Sequence, residues 1–144
     1  MTGPTNPDAS TRRWYGTAGT TARRRALSRT ECLHWLRGGT VGRLAMTAGA
    51  LPHIAVVRYY LIGETVFIDT GSAEVARSIV GNVVAFESGT SDTDRQHQIW
   101  SVCAVGVIAA SKEATAHEII LEMHPELLSG WVDSLTEAAS DSER

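Results

Sequence analysis

The chain has 144 residues, of which 43% are hydrophobic and 20% are charged, and its formal net charge is −3. This balance is typical of a single ordinary globular domain, and no apolar run reaches the roughly 20 residues that a transmembrane helix needs. The only two cysteines, Cys32 and Cys103, exclude a disulfide framework. We therefore expect a cytoplasmic protein that does not enter a membrane.

Charge is distributed unevenly along the chain. Residues 1–29 hold six arginines and one acidic residue, whereas the remainder holds seven basic and fifteen acidic residues. Residues 1–26 are rich in Thr, Gly, Pro, Ala and Arg and show no repeating apolar face, so we expect a flexible basic N-terminal arm. Such an arm can bind nucleic acid, but the acidic body offers no basic face to continue it. We therefore expect no nucleic-acid partner.

A short amphipathic helix is predicted over 29–37. The preceding Ser28 and the third helical residue, Glu31, form the pattern of a capping box, in which each side chain bonds to the backbone amide of the other. Gly38 and Gly39 end the helix, since glycine tolerates the conformations that follow a helix C-terminus.

Beyond this helix the hydrophobic period changes to two. The alternation predicts six strands, at 40–46, 52–61, 65–69, 83–87, 99–109 and 117–123. Between the third and fourth strands, Ser72 caps a second short helix, 73–80, whose inward residues are Val75, Ile79 and Val80. Hairpin spacing without βαβ alternation predicts a mainly β fold, a six-stranded antiparallel barrel with two short capping helices.

The predicted strand 99–109 is nearly apolar on both faces. One face fills the barrel, and the other needs a covering partner. The pattern therefore indicates a buried interface in a homodimer.

Four segments match a known family in order: Leu27–Met46, Pro52–Thr70, Val84–Ala109 and Met123–Trp131. They include the motifs V-G-R-L-A, V-A-F-E, W-S-V and P-E-x-x-x-G. Together they resemble the flavin-binding split-barrel proteins related to pyridoxamine 5'-phosphate oxidase, in particular the actinobacterial members. The resemblance implies a split β-barrel domain over 27–131, and the acidic residues after it indicate a frayed C-terminal tail over 132–144.

The resemblance also implies a dimer with FMN, or a deazaflavin, at the subunit interface, and an unknown small-molecule substrate. The residues expected to contact the cofactor are Arg58, Tyr59, Thr70, Gly71, Ser72, Trp100 and Ser101. Trp100 is equally interpreted as a core or interface aromatic. The histidines and cysteines show no metal-ligand spacing, and no side chain is identified as a catalytic acid or base.

In relatives, the flavin phosphate is held by an arginine at the end of one strand and a lysine at the start of the next helix. Here those positions are Asp69 and Glu74. Two readings stay open. Arg58 on the neighbouring strand supplies the missing guanidinium, with Thr70 and Ser72 as neutral donors, or Arg58 forms salt bridges with both acids and leaves no phosphate site.

Two functions follow from these readings. The first is a flavin-dependent oxidoreductase, in which the cofactor carries the hydride chemistry. The second is a non-catalytic split-barrel dimer that has lost flavin-phosphate binding and acts as a binding or regulatory module.

Overall fold

The computed structural model describes residues 20–90, 98–112 and 119–137. Its strands are β1 (Thr20–Ala26), β2 (Val41–Ala48), β3 (Leu51–Ile62), β4 (Thr65–Asp69), β5 (Val83–Gly89), β6 (Gln98–Ala110), β7 (Ile120–Met123) and β8 (Leu127–Glu137). Its helices are α1 (Arg29–Arg37) and α2 (Ala73–Ile79). Within the described ranges, neither helix is long and apolar enough to cross a membrane.

All strand pairs are antiparallel, and the sheet order is β1-β8-β6-β5-β2-β3-β4-β7. An additional pairing between β6 and β7 closes six of these strands, β2 to β7, into a barrel. They are the six strands that the sequence predicts, so the predicted fold class is confirmed. The largest fully buried side chains of the barrel interior are Phe86, Leu44, Ile68, Ile108, Leu121 and Met123.

Helix α1 has the bounds and the cap that the sequence predicts. Ser28 Oγ accepts from the Glu31 amide at 3.2 Å, and the Glu31 carboxylate accepts from the Ser28 amide at 3.1 Å. A hydrogen bond from Arg25, followed by that from Ser28, lowers the pKa of the Glu31 carboxyl. The helix packs against β3, β6 and β8 and buries Cys32 and Leu36 completely.

Helix α2 begins at the predicted cap, where Ser72 Oγ accepts from the Val75 amide at 3.2 Å. It ends at Ile79, one residue earlier than predicted. Val80 was expected to face inward, but it follows the helix and is 44% exposed. The buried residues of α2 are instead Ala76 and Ile79, which are separated by the three positions that place two side chains on one helix face.

The barrel is split between β2 and β5, which pair only from Arg43↔Glu87 to Ala45↔Ala85. Beyond this short ladder, the buried hydroxyl of Tyr59 donates to Leu36 O at 2.7 Å and lies 3.0 Å from Ser88 Oγ. Burial raises the pKa of Tyr59. These contacts fill the split with side chains and hold α1 over it.

The two ends of the domain extend further than the sequence predicts. Residues 20–26, assigned to a flexible arm, form β1 and pair with β8 through seven residue pairs. The strand β8 continues six residues past Trp131, into the predicted tail. A bidentate ion pair joins the two strands, in which Arg24 donates to Asp133 at 3.0 and 3.2 Å. Residues 1–19 and 138–144 lie outside the described ranges.

Candidate functional site

An apolar row crosses the outer face of the barrel. Strand pairing places five outward residues side by side, on β3, β2, β5, β6 and β8 in turn: Ile54, Ala45, Ala85, Val105 and Leu127. The adjoining pair Val83↔Val107 extends the row. We call these seven residues the apolar face. Ile54, Val83 and Leu127 are 74%, 66% and 67% exposed in the single chain, and a continuous apolar surface of this kind marks an interaction site.

The next outward row carries a pair of charges. Arg43 on β2 lies opposite Glu87 on β5, with 3.8 Å between guanidinium and carboxylate. Val56 and Cys103 flank this ion pair on β3 and β6. Burial, and secondarily the Glu87 charge, raises the pKa of the Cys103 thiol. The row is therefore charge-balanced and lies beside the apolar face.

The third outward row contains three of the polar residues that the sequence singles out, Arg58, Asp69 and Ser101. Asp69, Arg58 and Val41 are neighbours on β4, β3 and β2, and Ser101 and Trp131 are neighbours on β6 and β8. Arg58 and Ser101 are separated by β2 and β5, which at about 4.8 Å per strand is a path of about 14 Å along the curved surface of the sheet.

Two of the predicted contact residues lie on the other side of the sheet. Because successive strand residues point to opposite faces, Tyr59 and Trp100 point away from Arg58 and Ser101. Tyr59 is 4% exposed, and Trp100 packs on Trp35 of α1 with ring centroids 5.2 Å apart. The contact with Trp35 supports the interpretation of Trp100 as a core aromatic, and its contact with a cofactor stays a prediction.

The turn between β4 and α2 is held together by its own side chains. Asp69 Oδ1 accepts from the Gly71 amide at 2.8 Å, and Thr70 Oγ1 accepts from the Ser72 amide at 3.2 Å. The Val75 amide is bonded to Ser72 Oγ. Gly71 has φ +70°, a conformation that other residues rarely adopt. Three amides at this turn are therefore bonded within the chain.

The alternative in which Arg58 forms salt bridges with both acids is not what the structure shows. In the described ranges, the ion pairs do not include Arg58, Asp69 or Glu74. All three side chains belong to exposed residues. Arg58 is thus the one guanidinium in this row that a ligand can reach without breaking an ion pair.

Sequence reasoning missed one cluster beside Ser101. The Arg24 guanidinium lies 3.8 Å from the centroid of the Trp131 ring, and its ion-pair partner Asp133 is fully buried. The alternation of side chains along β8 could have predicted this cluster. Because Leu128 and Val132 face inward, Trp131 and Asp133 lie on the outer face.

Among the described residues, no group of three or more histidine, cysteine or carboxylate side chains is placed to hold a metal ion. His53 is exposed on β3, and its register partner on β2 is Met46.

A model of the pyridoxamine 5'-phosphate oxidase family matches residues 28–143. The chain belongs to this family. The resemblance drawn from the four sequence segments is therefore confirmed. No curated protein is significantly similar to the chain.

Several solved structures have the same fold and are covered almost completely by this chain. The FAD-binding protein from Mycobacterium smegmatis is 25% identical, with a TM-score of 0.65 over 76% of this chain and 98% of that one. An FAD-binding protein from Mesorhizobium loti is 18% identical, with a TM-score of 0.66 over 79% and 99%. A putative pyridoxamine 5'-phosphate oxidase from Corynebacterium glutamicum is 16% identical, with a TM-score of 0.67 over 84% and 98%.

The residues present at the β4–α2 turn do not fit the terminal phosphate of FMN. A phosphate monoester of charge about −2 is bound by cationic donors and free amides. Here the turn presents two carboxylates, Asp69 and Glu74, and its amides at Gly71, Ser72 and Val75 are already bonded. The donor set at this turn is therefore suited to a neutral or weakly charged group.

Proposed function

We propose that the protein is a flavin-binding oxidoreductase of the split-barrel type that works as a homodimer, with a small-molecule substrate. The observation that carries this proposal is the apolar face, which is continuous across five strands and exposed in the single chain. A flat apolar ring system is stabilised against such a surface when a second copy of the chain covers it.

The dimer follows from the same surface. Ile54, Val83 and Leu127 leave about two thirds or more of their side-chain surface open, and burying a side chain of this size contributes about 1.5–3 kcal/mol. The neighbouring Arg43–Glu87 pair balances its own charge, so this row adds no net charge that would oppose contact with a second copy. A self-complementary face of this kind favours an isologous dimer.

The flavin supplies the hydride chemistry, and the protein supplies binding, orientation and exclusion of water. Arg58 is the cation available to an anionic part of the cofactor, and Ser101 and the Trp131 ring border the far end of the same row. Cys32 and Cys103 are both free thiols, which supports our proposal of a cytoplasmic location.

The experiment is a visible absorbance scan of the purified protein, followed by titration with riboflavin, FMN, FAD and a deazaflavin cofactor. We expect a saturable spectral change with at least one of them, and a dimer by light scattering. A colourless dimer that binds none of the four at about 50 μM would remove the flavin proposal, since that limit corresponds to only about 6 kcal/mol of binding energy.

The carboxylates Asp69 and Glu74 favour one second candidate, a non-catalytic dimer that serves as a binding or regulatory module. In that case the wild-type chain forms a dimer and binds no flavin. The double reversal Asp69→Arg with Glu74→Lys is then expected to create FMN binding, because it restores two cations at the turn. A wild-type chain that already binds a flavin excludes this candidate.

A further inference from the structure

We infer that the site discriminates against a flavin that carries a terminal phosphate monoester, and that it takes a flavin whose ribityl chain ends in a hydroxyl or continues into a pyrophosphate. This inference rests on the proposed function, and it names the class of flavin. Riboflavin and FAD both carry the isoalloxazine ring on a ribityl chain that has no terminal phosphate monoester. FMN carries that monoester and is the flavin that the site disfavours.

The first argument is the charge around Arg58. Its register partner on β4 is Asp69, and Glu74 lies in the first turn of the following helix α2. Arg77 belongs to the last turn of α2, about 4.5 Å further along the axis than Glu74. Even with Arg77 included, these four side chains sum to zero charge, and without it the sum is negative.

The second argument is how Asp69 is held. Its Oδ1 atom is bonded to the Gly71 amide at 2.8 Å, so the carboxylate is fixed at the turn instead of turning toward the Arg58 guanidinium. An anion that approaches Arg58 therefore meets this negative charge at the neighbouring strand position, about 5 Å away.

The third argument is the charge of the candidate ligands at the ribityl 5' oxygen. It is about −2 on the single phosphate of FMN near neutral pH, as in other phosphate monoesters. In FAD a pyrophosphate spreads a similar total charge over two phosphates, which leaves about −1 on the phosphate next to the ribityl chain. Riboflavin has no charge there. Repulsion by a carboxylate grows in proportion to this charge. The penalty should therefore be largest for FMN, smaller for FAD and absent for riboflavin.

The test compares the dissociation constants of riboflavin, FMN and FAD for the wild-type chain and for the double variant Asp69→Asn with Glu74→Gln. Asparagine keeps an oxygen that accepts from the Gly71 amide, so the variant removes charge without removing the bond at the turn. Glu126→Gln is the matched control, since Glu126 is exposed and lies before β8, at the opposite end of the barrel from Asp69.

We expect the wild-type chain to bind riboflavin and FAD more tightly than FMN. The double variant should bind FMN about tenfold more tightly than the wild type does. Its affinity for FAD should rise by a smaller factor, and its affinity for riboflavin should stay within about twofold of the wild-type value. The control should change none of the three. Thermal unfolding without ligand checks that the variants are folded.

Two outcomes would overturn the inference while leaving the proposed function in place. One is FMN binding by the wild type that is as tight as riboflavin binding. The other is an equal gain for all three flavins in the double variant. Failure of every protein to bind any of the three flavins contradicts the proposed function as well, so the two failures are distinguishable.

Discussion

Arg58 on β3 and Asp69 on β4 are directly opposed in the strand register, yet the Asp69 carboxylate bonds to the Gly71 amide and not to the guanidinium. Opposite charges at facing strand positions usually attract, although exposed pairs of this kind contribute little stability. The carboxylate is therefore part of the β4–α2 turn, and the guanidinium is left to a ligand.

The role of Asp69 in the turn predicts a difference between two substitutions. Asp69→Ala removes the acceptor for the Gly71 amide, and we expect the free energy of unfolding to fall by about 0.5–1 kcal/mol. Asp69→Asn keeps an acceptor oxygen and should unfold close to the wild type. Chemical denaturation of the three proteins checks this, and equal stability of the alanine and asparagine variants would show that the bond is dispensable.

Dimer formation through the apolar face predicts the effect of Ile54→Glu. Because Ile54 is 74% exposed in the single chain, the substitution should leave the fold intact while it places a charge in the interface. We expect a monomer by light scattering at concentrations where the wild type is a dimer. Ile62→Glu is the control, since Ile62 is also exposed but lies at the other end of β3, where it pairs with Thr65. A dimer of unchanged stability in Ile54→Glu would assign the interface to another surface.

Cys103 reports on the same interface through its thiol. Burial raises the pKa of Cys103, so less of it is thiolate at pH 7 than in a free cysteine. Alkylation should therefore be slow at pH 7 and should accelerate with rising pH over a higher range than for a free cysteine. The monomeric Ile54→Glu variant should be alkylated faster than the wild type at every pH, because the neighbouring face is uncovered. Cys103→Ser should lose the corresponding adduct in mass spectrometry, which identifies Cys103 as the thiol that reacts. Identical alkylation rates in the wild type and in Ile54→Glu would indicate that the dimer does not cover the row that contains Cys103.

The ion pair between Arg24 and Asp133 predicts that β1 contributes to stability. The Asp133 side chain is 1% exposed and that of Arg24 is 39% exposed, so Arg24→Met leaves a buried carboxylate without its bidentate partner. We expect a loss of about 1–3 kcal/mol in the free energy of unfolding, measured in urea. Arg25→Met is the control, because Arg25 pairs with Glu31 at the surface, and it should change stability little. If Arg24→Met unfolded at the same urea concentration as the wild type, the ion pair would not contribute to stability, and backbone pairing with β8 would be what holds β1 in place.

The sequence was sufficient for those parts of the fold whose signals are local. The capping box at Ser28 and Glu31 fixes the start of α1, and the period of two along the chain gives the six barrel strands. The strand β1 has no such local signal. Its side-chain partner, Asp133, lies 109 residues away from Arg24, and a contact of that separation leaves no pattern within either segment.

The strands that carry the candidate site could be predicted from the sequence, but the directions in which their side chains point could be predicted less well. The family motif names Trp100 and Ser101 together, but neighbouring strand residues point to opposite faces. Which of the two faces outward depends on the barrel's closure, and therefore on the pairing of β6 with its neighbours. The sequence left two readings of Arg58 open, as the replacement cation or as the salt-bridge partner of Asp69 and Glu74. Its lack of an ion-pair partner in the described ranges depends on the bond between Asp69 and Gly71.

The most direct test of the account is a titration of riboflavin into the wild-type protein and into the monomeric Ile54→Glu variant, followed by flavin absorbance and fluorescence. The account predicts saturable binding of one flavin per chain by the wild type, and loss of that binding in the variant, because a second copy is needed to cover the ring. Equal binding by the two proteins, or none by the wild type, would contradict it.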